Sequence, residues 1–164
     1  MTKETVEPTV YHIHTDGSAL GNPGPGGYGI VARCGDIKAT LSKGYYKTTN
    51  NRMELMAVVA ALEEFGPGIK VTIYTDSQYA INCATKWMRG WMRNKWITYQ
   101  TQQPVKNKDI LMALNELMKL NKVSFVKVKA HSGVPDNEEC DQLAKAAAAN
   151  PELHDVEYVK TLGF

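Results

Sequence analysis

Apolar and polar positions along the chain alternate between a two-residue rhythm and a helical one. Residues 10–15 are a short run rich in β-formers and read as a strand. Two more such runs, 28–34 and 37–45, flank Gly35-Asp36 and read as a hairpin. Over 52–65 the apolar residues Leu55, Met56, Val58, Val59 and Leu62 recur with helical spacing, and Gly66-Pro67-Gly68 ends the run. A strand over 71–75 and a helix over 77–86 follow. A helix over 109–120 carries Ile110, Leu111, Leu114, Leu117 and Met118 on one side. A strand over 123–129 and an alanine-rich helix over 138–149, stopped by Asn150-Pro151, complete the series. Residues 21–29, GNPGPGGYG, read as a loop by composition. The order, three strands and then alternating helices and strands, predicts an α/β fold: a mixed sheet with helices on its faces.

Two of the strands end alike, in Thr15-Asp16-Gly17-Ser18 and in Thr75-Asp76-Ser77-Gln78. In open α/β sheets, sites form in the crevice beyond the carboxyl ends of the strands. If these strands are parallel neighbours, Asp16 and Asp76 lie side by side there. Carboxylates that close repel unless a proton or a cation intervenes, and a divalent metal is the economical answer. Glu54 and Asp141 fall in expected first turns of helices. Each acid also has an ordinary local explanation. Asp16 could start a turn, Asp76 could cap a helix, Glu54 could close a capping box with Asn51, and Asp141 could pair with Lys145.

The 164 residues, 43% hydrophobic and 22% charged, suit one globular domain with its own core. No apolar run reaches membrane-span length, and polar residues 1–9 do not resemble a signal peptide. Cys34, Cys83 and Cys140 show no paired spacing, so reduced thiols and a cytoplasmic location are expected. The net charge of +2 implies no partner by itself. Its distribution says more. Between 86 and 108 stand Lys86, Arg89, Arg93, Lys95, Lys106 and Lys108 with no acid, interleaved with Trp87, Trp91, Trp96 and Tyr99. That mixture suits a polyanion carrying flat bases or sugars; a solvated helix face over packed tryptophans is the alternative. His12-x-His14 could suggest a barrel-type metal hydrolase, but such barrels need about 250 residues. Alternation places both histidines on the strand face of Asp16, as core or near-core residues.

Four segments taken together carry a resemblance. They are 15–18 with 21–29, then 48–57 (TTNNRMELMA), then 75–79 (TDSQY), then His131-Ser132-Gly133 with Pro135, Asn137, Glu138, Cys140 and Asp141. In that order, from about Tyr11 to about Pro151, the chain is similar to the bacterial type 1 ribonucleases H. The resemblance implies a ribonuclease H-like mixed five-stranded sheet flanked by helices. It also implies a single domain over 10–152 between tails at 1–9 and 153–164, with 86–108 as a basic protrusion or handle. The implied activity is endonucleolytic hydrolysis of the RNA strand of RNA–DNA hybrids, leaving 5′-phosphate and 3′-hydroxyl ends. Asp16, Glu54, Asp76 and Asp141 would hold two Mg²⁺ ions, with Mn²⁺ as the alternative. His131 would assist proton movement or product release. Asn22, Asn50 and Gln78 would lie in the minor groove, where a 2′-hydroxyl is read, with Thr49 and Asn51 on the DNA strand. Gly26, Gly27 and Gly29 would keep their loop low beneath the duplex.

Trp87, Arg89, Trp91, Arg93 and Lys95 would grip the DNA strand. In one respect the sequence departs from the pattern. The handle carries Met92, Asn94, Gln100, Gln102 and Gln103 where relatives often cluster lysine and arginine, which bears on binding rather than catalysis. The hybrid is the expected partner, for a monomer without membrane or organic cofactor. A hybrid-binding module without catalysis would lack a carboxylate, and none is missing. Transposase, integrase or resolvase cores share such acids, but the extra recognition domains of an integrase are not seen. A domain of a reverse transcriptase is the third alternative, and a start at Met1 with its own handle argues against it.

Overall fold

The computed structural model describes residues 9–163. Of the expected N-terminal tail, only Thr9 falls among them. Five strands form one sheet in the order β3-β2-β1-β4-β5, with β1 Val10–Ala19, β2 Gly24–Cys34, β3 Ile37–Thr48, β4 Lys70–Thr75 and β5 Lys122–Lys127. The first three are antiparallel, turning between β2 and β3 at Gly35, whose φ of +58° suits a residue without Cβ. β4 and β5 run parallel to β1. The mixed sheet is thus the one expected.

Side chains on a strand alternate between faces. Ile13, Ile30 and Ile73 point into the main core, which is closed by α1 (Asn50–Phe65) and α4 (Lys108–Leu120). α1 supplies the buried Met53, Leu55, Val58 and Leu62; α4 supplies Ile110, Leu111 and Leu114. The opposite face of β1, β2 and β3 is covered by α5 (Pro135–Ala149).

β2 begins at Gly24, well inside the stretch expected to be a loop. Its glycines serve helix packing. A Cβ on Gly29 would stand 2.3 Å from the Cys140 carbonyl oxygen, and one on Gly27 would stand 2.6 Å from that of Ala144. Gly26 lies against Thr48 and Ser18. The expectation that these residues keep a loop low beneath a duplex is therefore corrected. Gly27 and Gly29 lower the strand beneath α5.

The helix expected over 77–86 is longer and interrupted. α2 (Gln78–Asn82) passes through a π-helical turn at Cys83–Trp87 into α3 (Met88–Arg93). The expected tail from 153 onward is ordered and partly buried. It carries α6 (Val156–Thr161), and Asp155 is 3% exposed. Asp155 accepts hydrogen bonds from Thr48 Oγ1 at 2.7 Å and from Arg52 Nε and Nη2 at 2.7 and 2.9 Å. The same buried guanidinium donates to both carboxylate oxygens of Asp109 at 2.8 and 2.7 Å. A charge that far from water persists only when paired, which is why this end of the chain is docked. Among the described residues, no helix is long and apolar enough to cross a membrane.

Candidate active site

The parallel register between β1 and β4 pairs His14 with Tyr74. Two residues further along, Asp16, still in β1, and Asp76, just past β4, stand side by side beyond the last parallel pair. Glu54 joins them from α1, just beyond its first turn. Gly17 makes that approach possible, because a Cβ there would lie 2.4 Å from the Glu54 backbone nitrogen. One carboxylate oxygen from each of Asp16, Glu54 and Asp76 falls within a mutual 4.8 Å.

None of the local explanations accounts for the three. Ser77, not Asp76, caps α2, accepting from Ala80 N at 3.0 Å. Thr49 caps α1, accepting from Arg52 N at 3.2 Å. Asp16 accepts from the N–H of its neighbour Gly17, at 3.0 Å, which leaves its closeness to Glu54 and Asp76 unexplained. Glu54 is 9% exposed, and among the described residues its buried Oε2 has no hydrogen-bond partner. For Asp141 the local explanation holds in part: its carboxylate meets Lys145 Nζ at 3.0 Å.

The electrostatics match the crowding. Burial, then the charge of Asp76, pushes the Asp16 carboxyl up to about 7. Burial, then the charges of Asp16 and Asp76, holds Glu54 well above the carboxylate range. Asp76 is raised by burial; its own N–H, His131 and Lys127 oppose the rise and Asp141 adds to it. Without a cation, this centre ionises reluctantly. The donors are all hard oxygens, one of them buried and unpartnered, so the residues present fit a divalent cation.

A small cleft opens beside the cluster, lined by Asp16, Asp76, His131, Asn137, Glu138 and Asp141. His131 is exposed on the loop before α5, with φ +54°. Asp141 reaches the cleft from α5, set apart from the three converging acids. Asn137 and Glu138 were not among the expected site residues. They lie four and three positions before Asp141, hence on its helix face, and that spacing was the available signal. Glu138 Oε1 also accepts from Gly133 N at 3.3 Å, tying the His131 loop to α5.

The expected substrate contacts form two groups. Asn22 Oδ1 accepts from Asn50 N at 3.1 Å, joining the turn after β1 to the start of α1, where Thr49 and the exposed Asn51 also stand. Gln78 is exposed at the start of α2. The second group stands away from the acids on the π turn, α3 and the following loop. Trp87 is exposed, with its ring 5.8 Å from that of Trp91. Arg89, Arg93 and Lys95 are exposed around them. His14 is buried and stacked on Tyr74 at 4.5 Å. His12, expected at or near the core, is exposed and bonded to the Tyr74 hydroxyl at 2.8 Å, because β1 is uncovered at that end.

Fold and site together define an α/β protein with a cation-demanding carboxylate centre at the open ends of its parallel strands. A model of the RNase H family matches residues 8–149. Ribonuclease HI of Haemophilus influenzae is 48% identical over 153 residues, covering 93% of this chain and 99% of that protein. Among solved structures, LC9-RNase H1, a type 1 RNase H with the type 2 active-site motif, superposes with a TM-score of 0.80 at 24% identity. It covers 91% of this chain and 76% of that one. LC11-RNase H1, solved in complex with an RNA/DNA hybrid, gives 0.62 at 25% identity and covers 85% of this chain and 96% of that one. The chain belongs to the ribonuclease H family.

Proposed function

We propose that this protein is an endoribonuclease that hydrolyses the RNA strand of RNA–DNA hybrids, leaving 5′-phosphate and 3′-hydroxyl ends. The observation that carries the reading is the convergence of Asp16, Glu54 and Asp76 within 4.8 Å, with a buried Glu54 oxygen that has no hydrogen-bond partner among the described residues. In this reading those three and Asp141 hold two Mg²⁺ ions. Bound there, the ions supply charge that activates a water and stabilises the leaving oxygen.

The remaining steps belong to the chain's own side chains. The acids at the strand ends fix where the scissile phosphate rests. An imidazole nitrogen of His131, on the exposed side of the cleft, accepts and returns a proton. Asn22, Asn50 and Gln78 test for the 2′-hydroxyl, which both donates and accepts. Thr49 and Asn51 hold the DNA strand. Trp87, Arg89, Trp91, Arg93 and Lys95 grip it further along, by stacking and charge. In this reading the protein acts as a cytoplasmic monomer without an organic cofactor. The test is cleavage of a labelled RNA–DNA hybrid with and without Mg²⁺, beside matched DNA–DNA and RNA–RNA duplexes. Mg²⁺-dependent cutting confined to the RNA of the hybrid is expected. Equal cutting of all three duplexes, or none, overturns the reading.

A further inference from the structure

A cation stands on the acidic edge that the assignments above leave unused. Lys127 is the last residue of β5, pairs with Thr75 in the parallel register and is exposed. It therefore leaves the sheet beside Asp76, where its charge opposes the rise of the Asp76 carboxyl pKa. Its ammonium donates to Gln78 Oε1 at 3.1 Å, and Gln78 Nε2 donates to Asn82 Oδ1 at 2.9 Å. A lysine cannot accept a hydrogen bond, so the amide atom facing it must be the oxygen. With its oxygen engaged and one N–H spent on Asn82, Gln78 has one N–H left to offer. The ammonium has two donors left.

We propose that Lys127 determines specificity at this edge. Its free donors hold a phosphate of the strand being cut, and its bond to Gln78 turns the amide so that an N–H meets the ribose hydroxyl as acceptor. The proposal rests on the hybrid-cleavage reading above. It names the phosphate of the RNA strand because Lys127 adjoins Asp76, where that strand is cut, whereas the tryptophans and arginines assigned to the DNA strand stand apart. Nothing in the local sequence marks this lysine among the chain's other exposed ones. The end of the edge strand and the bond to Gln78 single it out.

The test compares Lys127→Met and Lys127→Arg with the parent. Lys119→Met serves as a charge-matched control near the amino ends of β4 and β5, at the opposite edge of the sheet. Lys127 is exposed, so both of its variants should fold. One lost phosphate contact removes about 0.9 from the salt slope, or roughly 3.5-fold between 50 and 200 mM salt. Lys127→Met should raise KM at 50 mM salt, by an amount that shrinks about threefold by 200 mM. It should also narrow the preference for binding hybrid over DNA duplex. Lys127→Arg should restore KM, and Lys119→Met should leave it unchanged. A Lys127→Met enzyme with the parent's KM and salt slope overturns the proposal. So does a raised KM with unchanged hybrid preference, since the lysine would then be a bare charge. A parent that leaves the hybrid uncut overturns the functional reading itself, which separates the two failures.

Discussion

Arg52 and Glu54 stand two residues apart near the start of α1, and each anchors a buried cluster of charge. Around Arg52, one guanidinium meets two carboxylates, Asp109 and Asp155, with every bond between 2.7 and 2.9 Å. Around Glu54, three carboxylates converge with no cationic side chain between them, and among the described residues one oxygen has no hydrogen-bond partner. In the first cluster every carboxylate is paired to a cation of the chain, and the cluster belongs to the fold. The second is left unpaired by the chain, and a proton or a bound cation offsets it. Buried charge alone therefore does not mark a functional site; buried charge that the chain leaves uncompensated does.

The largest expected effect on this contrast comes from Asp76→Asn. The amide keeps the shape and loses the charge, so turnover in Mg²⁺ should disappear while hybrid binding and folding persist. Melting of the metal-free variant should occur above that of the parent, because repulsion is relieved. Near-normal turnover would remove Asp76 from the metal site. Arg52→Met should do the reverse. It strands Asp155 in the interior and should cost about 3–5 kcal/mol in chemical denaturation. A loss under about 1 kcal/mol would mean that water reaches Asp155 and that the Arg52 cluster is not what holds this turn.

The third effect is one of pH. In chelator, the Asp16 carboxyl is raised to about 7 in the folded state, against about 3.9 when unfolded. The folded state then holds a proton that the unfolded chain releases. Its contribution is intact below about pH 4 and is lost as pH rises to about 7. Asp16→Asn does not titrate, so its advantage in melting temperature over the parent should open across that interval. A gap that is flat with pH would mean that Asp16 is not crowded.

How far these clusters could be read beforehand follows from the range of the interactions. Asp16 and Asp76 were visible because two β-rich runs end in the same Thr-Asp pair and parallel strands bring such ends together. Glu54 was visible as an acid in a first turn, though its capping alternative looked equally good until Thr49 took the cap. Gly24 to Gly27 looked like loop because composition reports local flexibility, whereas the strand exists for the sake of α5 lying close above it. The π turn at Cys83–Trp87 has no periodic signature that a short window could detect. Arg52 with Asp155 had none at all, since 103 residues separate the partners and neither is unusual among its neighbours.

That separation has a consequence for synthesis. On a ribosome adding about 5–20 residues per second, Asp155 is made on the order of 5–20 s after Arg52. Throughout that interval Asp109, once made, is the carboxylate that can meet the guanidinium. The bonds of Arg52 to Asp155 are therefore ones that α1 can make only after all five strands have been synthesised.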